Sequence, residues 1–456
     1  MPRDMPSEGN RVPLIQVAYI LREFGAQVET QPPGWINGDS PNPVEFIYRR
    51  GHLLVRDRDV RRLRDVGVPG AVIRHPVPGL ALVQVELPNE PITDTLSRID
   101  AELGPGVASP DHLLSITPGT YCPATEPDGV PRHSPPQPAV STDCCDGRGV
   151  LVAVVDTGLL KSAPQLHPWL HGVTGTFEPE TGPGKRHFIP RYTAHGTFIA
   201  SIVRAMAPRA QVQVTRIFDR AGACFESDVV EALYQVIDSA PDIISLSAGT
   251  HTWRDRGLLS FHFFINGPLR ERRGTVLVAA AGNDGMDWKF SPAKMKGVLS
   301  VGALASNGSA RASFSNYGNW VKVYAPGEDL VHAYSRGTYH YHEAKKPPGR
   351  PNQKFYGMAM WSGTSFSTPV VAGLIAARMS GTGESASEAA RSLRKLARAQ
   401  ALPGVGAVLR PGQACLSLCE HARVCLNPSR CRGCRCCPSR PTHCGSPRTP
   451  IIWAAT

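Results

Sequence analysis

The sequence lacks any run of about 20 apolar residues, the length that a membrane-spanning helix requires. Its opening stretch, MPRDMPSEGNRVPLIQVAYILREF, also lacks the uninterrupted apolar segment and the small-residue cleavage site of a secretory signal peptide. We therefore expect no membrane partner and a cytoplasmic location. In that reducing compartment the cysteines would be free thiols or metal ligands rather than disulfides.

Acidic residues are too few to balance the basic ones, since 38 Asp and Glu against 49 Lys and Arg give a net charge of +11. Such a charge is compatible with binding to nucleic acid or to an anionic surface, which salt-dependent binding would test. No recognised nucleic-acid-binding motif accompanies the arginine-rich stretches. The charge therefore favours a solvated basic face, and we expect no specific nucleic-acid partner.

Cysteine is scarce along most of the chain, and eight of the twelve cysteines crowd into the last segment, residues 401–456. Cys431 and Cys434 have the spacing of half a zinc site. No second well-spaced pair follows, however, and the adjacent residues Cys436 and Cys437 are awkward for tetrahedral ligation. The composition favours a disordered Cys- and Arg-rich tail over a structural zinc site, and we assign no metal ligands.

Changes in residue pattern divide the rest of the chain into four segments, at 1–44, 45–118, 119–148 and 149–400. The first is weakly patterned and is treated as an N-terminal extension. The second predicts strands and amphipathic helices in β-α-β-α-β order, which indicates a small α+β domain. The third is rich in Pro, Ser, Thr and Asp, which predicts a linker.

The fourth segment predicts an α/β domain with a doubly wound, mostly parallel sheet. Apolar runs typical of strands buried on both faces alternate with helical patterns, and the runs are LVAVVD, VQVTRIFD, DIISLSAG, GTVLVAAAGNDG and GVLSVGALA. Ligands of such sheets bind beyond the carboxyl ends of the strands. Asp156 is the last residue of the first run, directly after LVAVV, so it is expected at that edge.

Four polar residues stand at strand–loop or loop–helix junctions of this domain: Asp156, His195, Asn283 and Ser365. Each alone is an ordinary turn, cap or surface residue. In SGTSFSTPVVAG, Pro369 is expected in the first turn of a helix, which puts Ser365 at or just before the helix N-terminus. Unpaired N–H groups and the helix dipole favour negative charge there.

Together the four residue types are those that nucleophilic catalysis requires. A serine hydroxyl becomes a nucleophile when a neighbouring base takes its proton, and a neutral histidine can do so near pH 7. A buried carboxylate holds the histidine in the right tautomer. An asparagine amide and a backbone N–H at a helix start can stabilise the oxyanion that forms.

The segments VAVVDTG, HGTFIASIV, AAAGNDG and SGTSFSTPVVAG resemble the aspartate, histidine, asparagine and serine motifs of the subtilisin-like serine proteases. The order Asp, His, Ser also matches, and no GxSxG motif is present. The resemblance implies a serine endopeptidase that acts on polypeptides, with Asp156, His195 and Ser365 as the catalytic triad and Asn283 at the oxyanion. It implies no cofactor for catalysis, and calcium ligands cannot be assigned.

The resemblance also implies how a substrate strand would bind, by main-chain pairing on two sides. The residues implied on the P1-pocket side are Ser247, Ala248 and Gly249, with Ala280, Ala281 and Gly282 as the opposite wall, and those on the other edge of the substrate are Gly222 and Ala223. The sequence departs from the family pattern in two places. Trp288 or Phe290 is expected to narrow the P1 pocket, and Val370 follows the proline at a position where the family commonly has histidine.

Residues 45–118 resemble the pro-domain of the same family, a folding chaperone and inhibitor. The resemblance implies that the N-terminal domain is an intramolecular partner of the catalytic domain. Because no signal peptide is seen, we also consider a domain that is retained as a permanent regulator rather than removed.

Three other functions remain open at this stage. The DTG motif also marks aspartic proteases, but these need two carboxylates, and no second DTG or DSG is present. A carboxyl-serine protease would share SGTS, but HGT favours histidine as the base. A catalytically silent binding or regulatory protein with the same fold is the alternative outside the enzymes.

Overall fold

The computed structural model describes residues 14–31, 44–86, 90–116, 125–143, 145–179, 188–218, 221–342 and 351–414. Residues 415–456 of the predicted tail, including its cysteines in that range and the half zinc site, lie outside these residues. Residues 401–414 were predicted to belong to the disordered tail, but they pack on the rest of the chain and bury Val408 and Leu409. Within these ranges no helix has the length and apolarity to cross a membrane. Cys145 is disulfide-bonded, in contrast to the thiols or metal ligands predicted for the cysteines.

The N-terminal part contains an antiparallel sheet covered by a helix. Its elements are α1 (Leu14–Phe24), β1 (Val28–Gln31), β2 (Phe46–Arg56), β3 (Gly70–Val77), β4 (Leu80–Val85), α2 (Ile92–Leu103) and β5 (Ala108–Ser115), with 3-10 helices at Gly25–Gln27 and Asp57–Leu63. Strand β2 pairs with β1, β4 and β5, and β3 pairs with β4. Helix α2 buries Ile92, Leu96 and Ile99, one stripe at helical spacing.

Two features of this sheet differ from the predicted β-α-β-α-β order. Strand β3 was not predicted, because its sequence GAVIRHPV has no clean alternation and leaves Val72 and Ile73 exposed. A 3-10 helix replaces the predicted short α-helix after β2. The segment is arginine-rich and buries only Asp59 and Leu63, so it lacks the apolar stripe that sustains a longer helix.

The larger part of the chain is built around a parallel sheet. Its elements are β6 (Asp128–Gly129), β7 (Leu151–Asp156), α3 (Ala163–Leu166), β8 (Thr174–Gly175), β9 (Phe188–Ile189), α4 (His195–Met206), β10 (Gln211–Arg216), β11 (Ala223–Phe225), α5 (Glu226–Asp238), β12 (Ile243–Leu246), α6 (Leu259–Asn266), α7 (Pro268–Glu271), β13 (Val276–Ala280), β14 (Val298–Leu304), β15 (Val323–Pro326), β16 (Leu330–His340), β17 (Asn352–Trp361), α8 (Thr364–Thr382) and α9 (Ala386–Ala399), with 3-10 helices at Pro168–Leu170 and Trp253–Asp255.

The parallel sheet has the strand order β15-β14-β13-β12-β7-β10-β8. Side chains of one face pack with α4 and α8, and those of the other face pack with α5 and α6. The apolar runs are therefore strands buried on both faces, and the predicted doubly wound parallel sheet is confirmed.

A second, four-stranded sheet of order β6-β17-β16-β9 flanks the parallel one. Part of the segment predicted as a linker belongs to it. Strand β6 pairs with β17 through Gly129 and Ala359, and Gln137 forms an isolated bridge with Val331. These pairings hold residues 128–137 against the larger part of the chain.

The N-terminal sheet continues into the larger part of the chain. Strand β11 pairs antiparallel with β5, so the order of that sheet is β11-β5-β2-β4-β3. Helix α1 covers the junction, since its residues Val17, Ile20 and Phe24 pack with Ala223 and Phe225 of β11. The two parts therefore share one continuous sheet and an apolar core.

Candidate active site

The carboxyl edge of the parallel sheet gathers the predicted catalytic residues. Asp156 is the last residue of β7 and is fully buried. His195 begins α4, and Ser365 is the second residue of α8. Asn283 follows β13 after two residues of loop. Parallel strands end at the same edge, which is why residues far apart in the sequence meet here.

Asp156 and His195 form a buried pair. Oδ1 of Asp156 lies 2.7 Å from Nδ1 of His195 and also accepts a hydrogen bond from the N–H of Thr157 at 2.7 Å. The rings of Trp361 and Phe366 lie 5.4 and 5.3 Å from the imidazole. A carboxylate at this position assigns the Nδ1 proton to His195, which leaves Nε2 as the basic nitrogen.

Pro369 lies in the second turn of α8 rather than in the predicted first turn, because the helix begins at Thr364. Proline cannot donate to the carbonyl four residues earlier, which is that of Ser365. The hydroxyl of Ser247 donates to this carbonyl instead, at 2.8 Å. Because the proline leaves the carbonyl of Ser365 without a helical donor, this carbonyl is free to bind Ser247, in the segment after β12.

The hydroxyl of Ser365 contacts two backbone carbonyls. Its Oγ lies 3.4 Å from the oxygen of Ile116 and 3.4 Å from that of Ser247. Among the described residues its hydrogen bonds do not include His195, although the neighbouring Phe366 ring packs on that imidazole. Ser365 therefore faces the end of the N-terminal domain, and it directly precedes the residue whose ring packs on His195.

Asn283 is oriented by the start of α8. Its Oδ1 accepts hydrogen bonds from the N–H of Thr364 at 2.9 Å and from the hydroxyl of Thr364 at 2.8 Å. Its Nδ2 faces Gly363, where an added Cβ would lie 3.7 Å away. Because the oxygen is engaged, the amide group of Asn283 presents its donor toward the loop that precedes Ser365.

The end of the N-terminal domain lies between the predicted substrate-binding segments. Ser115 and Gly249 exchange two backbone hydrogen bonds of 3.0 Å each. The N–H of Ile116 donates to the carbonyl of Gly222 at 3.0 Å, and Ala223 is paired with Ser115. The chain's own strand β5 thus occupies the edges predicted for a substrate.

The remaining predicted substrate-binding residues lie beside this strand. Ser247 and Ala248 connect β12 with Gly249 and are buried. Ala280 ends β13, and Ala281 and Gly282 continue from it. Their loop is anchored by Asn316, which donates to the carbonyl of Ala281 at 3.0 Å.

Glu178 supports the Asp156–His195 pair, a role that was not predicted from the sequence. Its carboxyl group accepts hydrogen bonds from the Thr157 hydroxyl at 2.8 Å and from the Ala194 N–H at 3.0 Å. The backbone of Ala194 is in the left-handed region, with φ of 67°, which is unfavourable for a residue other than glycine. The hydrogen bond from its N–H to the carboxyl group of Glu178 holds this conformation directly before His195. The pKa of Glu178 is raised to about 8, chiefly by burial and with a smaller contribution from the charge of Asp156, against the lowering effect of the hydrogen bonds from Ala194 and Thr157.

The sequence carries little signal for this role of Glu178. It lies in a loop, and its partners are a residue after a strand and a residue before a helix. The sequence indicated only that an acidic residue lies between the aspartate and histidine motifs.

Asp111 of β5 binds the start of α5, across the junction of the two parts. One carboxylate oxygen accepts from the N–H of Ser227 and the other from its hydroxyl, each at 2.9 Å. The same carboxylate accepts from Nε of Arg49 at 2.8 Å. Burial raises the pKa of Asp111 to about 6, against the lowering effect of Arg49. The N-terminal domain thus supplies the cap of a helix in the larger part.

The ranges that the structure describes contain no cluster of three or more His, Cys, Asp or Glu side chains suited to hold a metal ion.

Comparison with known proteins identifies the larger part of the chain. The model of the subtilase family matches residues 147–409. The chain is 32% identical over 238 residues to the thermophilic serine proteinase of Bacillus sp. (strain AK1), which covers 50% of this chain and 51% of that protein. It is 29% identical over 259 residues to thermitase of Thermoactinomyces vulgaris, covering 54% of this chain and 80% of thermitase.

A solved structure shares the fold. The crystal structure of fervidolysin from Fervidobacterium pennivorans, a keratinolytic enzyme related to subtilisin, aligns with a TM-score of 0.53 and 19% identity. The alignment covers 80% of this chain and 61% of that chain. The family model spans more than half of the sequence, and the parallel sheet has the subtilisin-like architecture. The chain therefore belongs to the subtilase family.

Proposed function

We propose that this chain is a serine endopeptidase whose cleft is closed by its own N-terminal domain. The observation that carries the proposal is the junction at Ser365. The Ser365 hydroxyl, one residue before the Phe366 ring that packs on His195, lies 3.4 Å from the carbonyl oxygen of Ile116. Ile116 directly follows strand β5, which is paired along the edges implied for a substrate. Membership of the subtilase family supports the endopeptidase activity.

In the proposed mechanism, Nε2 of His195 accepts the proton of Ser365 as the serine oxygen attacks the carbonyl carbon of the substrate. The imidazolium that forms lies 2.7 Å from Asp156, which stabilises it. His195 then donates the proton to the leaving amine, which leaves an acyl-enzyme on Ser365. Water, activated by the same imidazole, hydrolyses that ester.

The negative oxygen of the tetrahedral intermediate needs donors that are already in position. We assign this role to Nδ2 of Asn283 and to the N–H of Ser365 at the start of α8. The engagement of Asn283 Oδ1 by Thr364 supports the assignment, because it orients the amide before the substrate binds. Loss of one such donor typically lowers kcat by about 10²- to 10³-fold.

The inhibitory role of the N-terminal domain rests on three contacts. Strand β5 pairs with Gly249 on one side and Gly222 on the other, so a substrate cannot use these groups at the same time. Asp111 caps α5, and α1 packs on β11. We propose that this domain competes with substrate for the cleft.

A catalytically silent binding or regulatory protein is the second candidate. One observation favours it: in the described part of the chain the hydrogen bonds of the Ser365 hydroxyl are with two backbone carbonyls and not with His195. A serine held in that way would lack an activating base. The two candidates differ in whether Ser365 reacts.

Labelling with a fluorophosphonate tests the proposed activity, because the reagent modifies a serine that a neighbouring base activates. We expect the full chain to be labelled at Ser365, and Ser365→Ala or His195→Ala to lower labelling by about 10⁴-fold or more. Ser367→Ala is the matched control, since the buried Ser367 hydroxyl has no hydrogen-bond partner in the described structure. Labelling that survives in His195→Ala would exclude this mechanism.

A further inference from the structure

An aromatic ring fills the crevice between the two segments implied to form the P1 pocket. Strands β12 and β13 are neighbours in the sheet, and the chain leaves them as Ser247–Gly249 and Ala281–Gly282. Phe290 is only 2% exposed. An added Cβ on Gly249 would lie 2.5 Å from Phe290 Cε1, and one on Gly282 would lie 3.1 Å from Phe290 Cγ. The ring therefore touches the backbone of both segments.

The ring of Phe290 is fixed in place by its surroundings. The next residue, Ser291, exchanges backbone hydrogen bonds with Thr250 at 2.8 and 2.9 Å. The imidazole of His251 packs against the ring edge-on, at 5.4 Å. Nε2 of His251 in turn lies 3.1 Å from Oδ2 of Asp284, which links the residues after Gly249 to those after Gly282. A rotation of the ring out of the crevice would disrupt packed neighbours.

Trp288, the other aromatic residue predicted to narrow this pocket, lies elsewhere. Its ring packs edge-on against His251 at 5.6 Å. Of the two aromatic residues, Phe290 and not Trp288 is among the nearest neighbours of an added Cβ on Gly249 and on Gly282. Substitution of Phe290 is therefore expected to change the selectivity for the side chain before the cleaved bond, and substitution of Trp288 is not.

We infer that Phe290 is the specificity-determining residue of the site and that it restricts the substrate to peptides with a small side chain before the cleaved bond. The inference rests on the proposed function. A substrate that pairs with Gly249 as Ser115 does directs its next residues along Ser247, beside this crevice. Glycine, alanine and serine need little of that space. Leucine and phenylalanine need the volume that the ring of Phe290 already fills.

Peptide hydrolysis tests this inference in the full chain carrying Ser115→Pro, which removes the N–H that Ser115 donates to Gly249 and opens the cleft. The substrates are fluorogenic peptides identical except for Ala, Leu or Phe before the cleaved bond. Each missing or excess contact in such a pocket changes kcat/KM by about 10- to 200-fold. We expect the Ala peptide to exceed the Phe peptide by about 100-fold in kcat/KM.

Phe290→Ala should lower this ratio by at least about 10-fold, and Phe290→Leu should give an intermediate value. Trp288→Ala is the matched control and should leave the ratio unchanged. The ratio compares two substrates on one preparation, so a partly unfolded variant does not alter it. Thermal unfolding of each variant establishes that a folded fraction is measured.

Two results would overturn the inference while leaving the proposed function intact. One is a Ser115→Pro chain that cleaves the Phe peptide as well as the Ala peptide. The other is a ratio that Phe290→Ala and Phe290→Leu do not change although both variants are labelled by the fluorophosphonate. If no variant is labelled and no peptide is cleaved, the proposed function fails, and this inference fails with it.

Discussion

At the scale of the residue, the site depends on a second layer of groups that hold the reactive ones. Glu178 binds the hydroxyl of Thr157 and the N–H of Ala194, and these residues adjoin Asp156 and His195. Ser247 binds the carbonyl that Pro369 leaves without a donor. Such contacts matter because about 1 Å of misplacement can cost about 10²-fold in rate.

Glu178 makes stability depend on pH in a defined direction. Burial raises its pKa from 4.5 to about 8 in the folded chain. Between these values the folded state holds a proton that the unfolded state has lost. The free energy of unfolding therefore falls as the pH rises, by up to about 1.4 kcal/mol per pH unit.

Glu178→Gln has no proton to hold, so we expect the Tm of the wild type to fall relative to that of Glu178→Gln between pH 5 and about 8. Thermal unfolding of both proteins across this range provides the measurement. Two Tm curves that stay parallel would contradict the assigned pKa shift of Glu178.

The candidate site residues that the sequence indicated are those with a motif around them. Asp156, His195, Asn283 and Ser365 each follow a recognisable pattern, and the structure brings them to one edge of the sheet. Glu178 was missed because its contacts are with backbone and hydroxyl groups in two other loops. Such contacts have no fixed spacing in sequence.

At the scale of the element, periodicity predicted the parallel strands and the longer helices. The apolar runs are strands because both faces of the sheet are covered by helices. The antiparallel strands β3, β16 and β17 were not predicted. They are edge or hairpin strands with mixed exposure, in which tertiary pairing outweighs local pattern.

Helix α5 links the N-terminal domain to the cleft, because Asp111 caps its first turn and it directly follows β11. We expect Asp111→Ala to loosen the domain, since it removes a helix cap worth about 1 kcal/mol and leaves Arg49 without its buried partner. Fluorophosphonate labelling of Ser365 should accelerate by about 10-fold or more.

Asp94→Ala serves as the control for Asp111→Ala, because Asp94 is an exposed acidic residue of the same domain. Its labelling rate should equal that of the wild type. If Asp111→Ala is also labelled at the wild-type rate, the cap does not contribute to closure of the cleft.

At the scale of the whole molecule, the two parts of the chain share one sheet through β5 and β11. The sequence predicted two domains with a linker between them, but not that residues 128–137 pair with β17 and β16. It also could not indicate that α1 packs against β11, because an amphipathic helix reveals its apolar face and not the surface that the face covers.

The central claim is that a competent Asp156–His195–Ser365 site is occupied by strand β5, and one measurement tests it most directly. That measurement is the rate of fluorophosphonate labelling of Ser365 in Ser115→Pro against Ser115→Ala. The first removes the N–H that Ser115 donates to Gly249, and the second keeps it. We predict labelling at least about 10-fold faster in Ser115→Pro, equivalent to about 1.4 kcal/mol, and its loss when His195→Ala is added. Equal rates in the two variants would contradict occupation of the cleft, and no labelling of Ser365 in either would contradict the catalytic site itself.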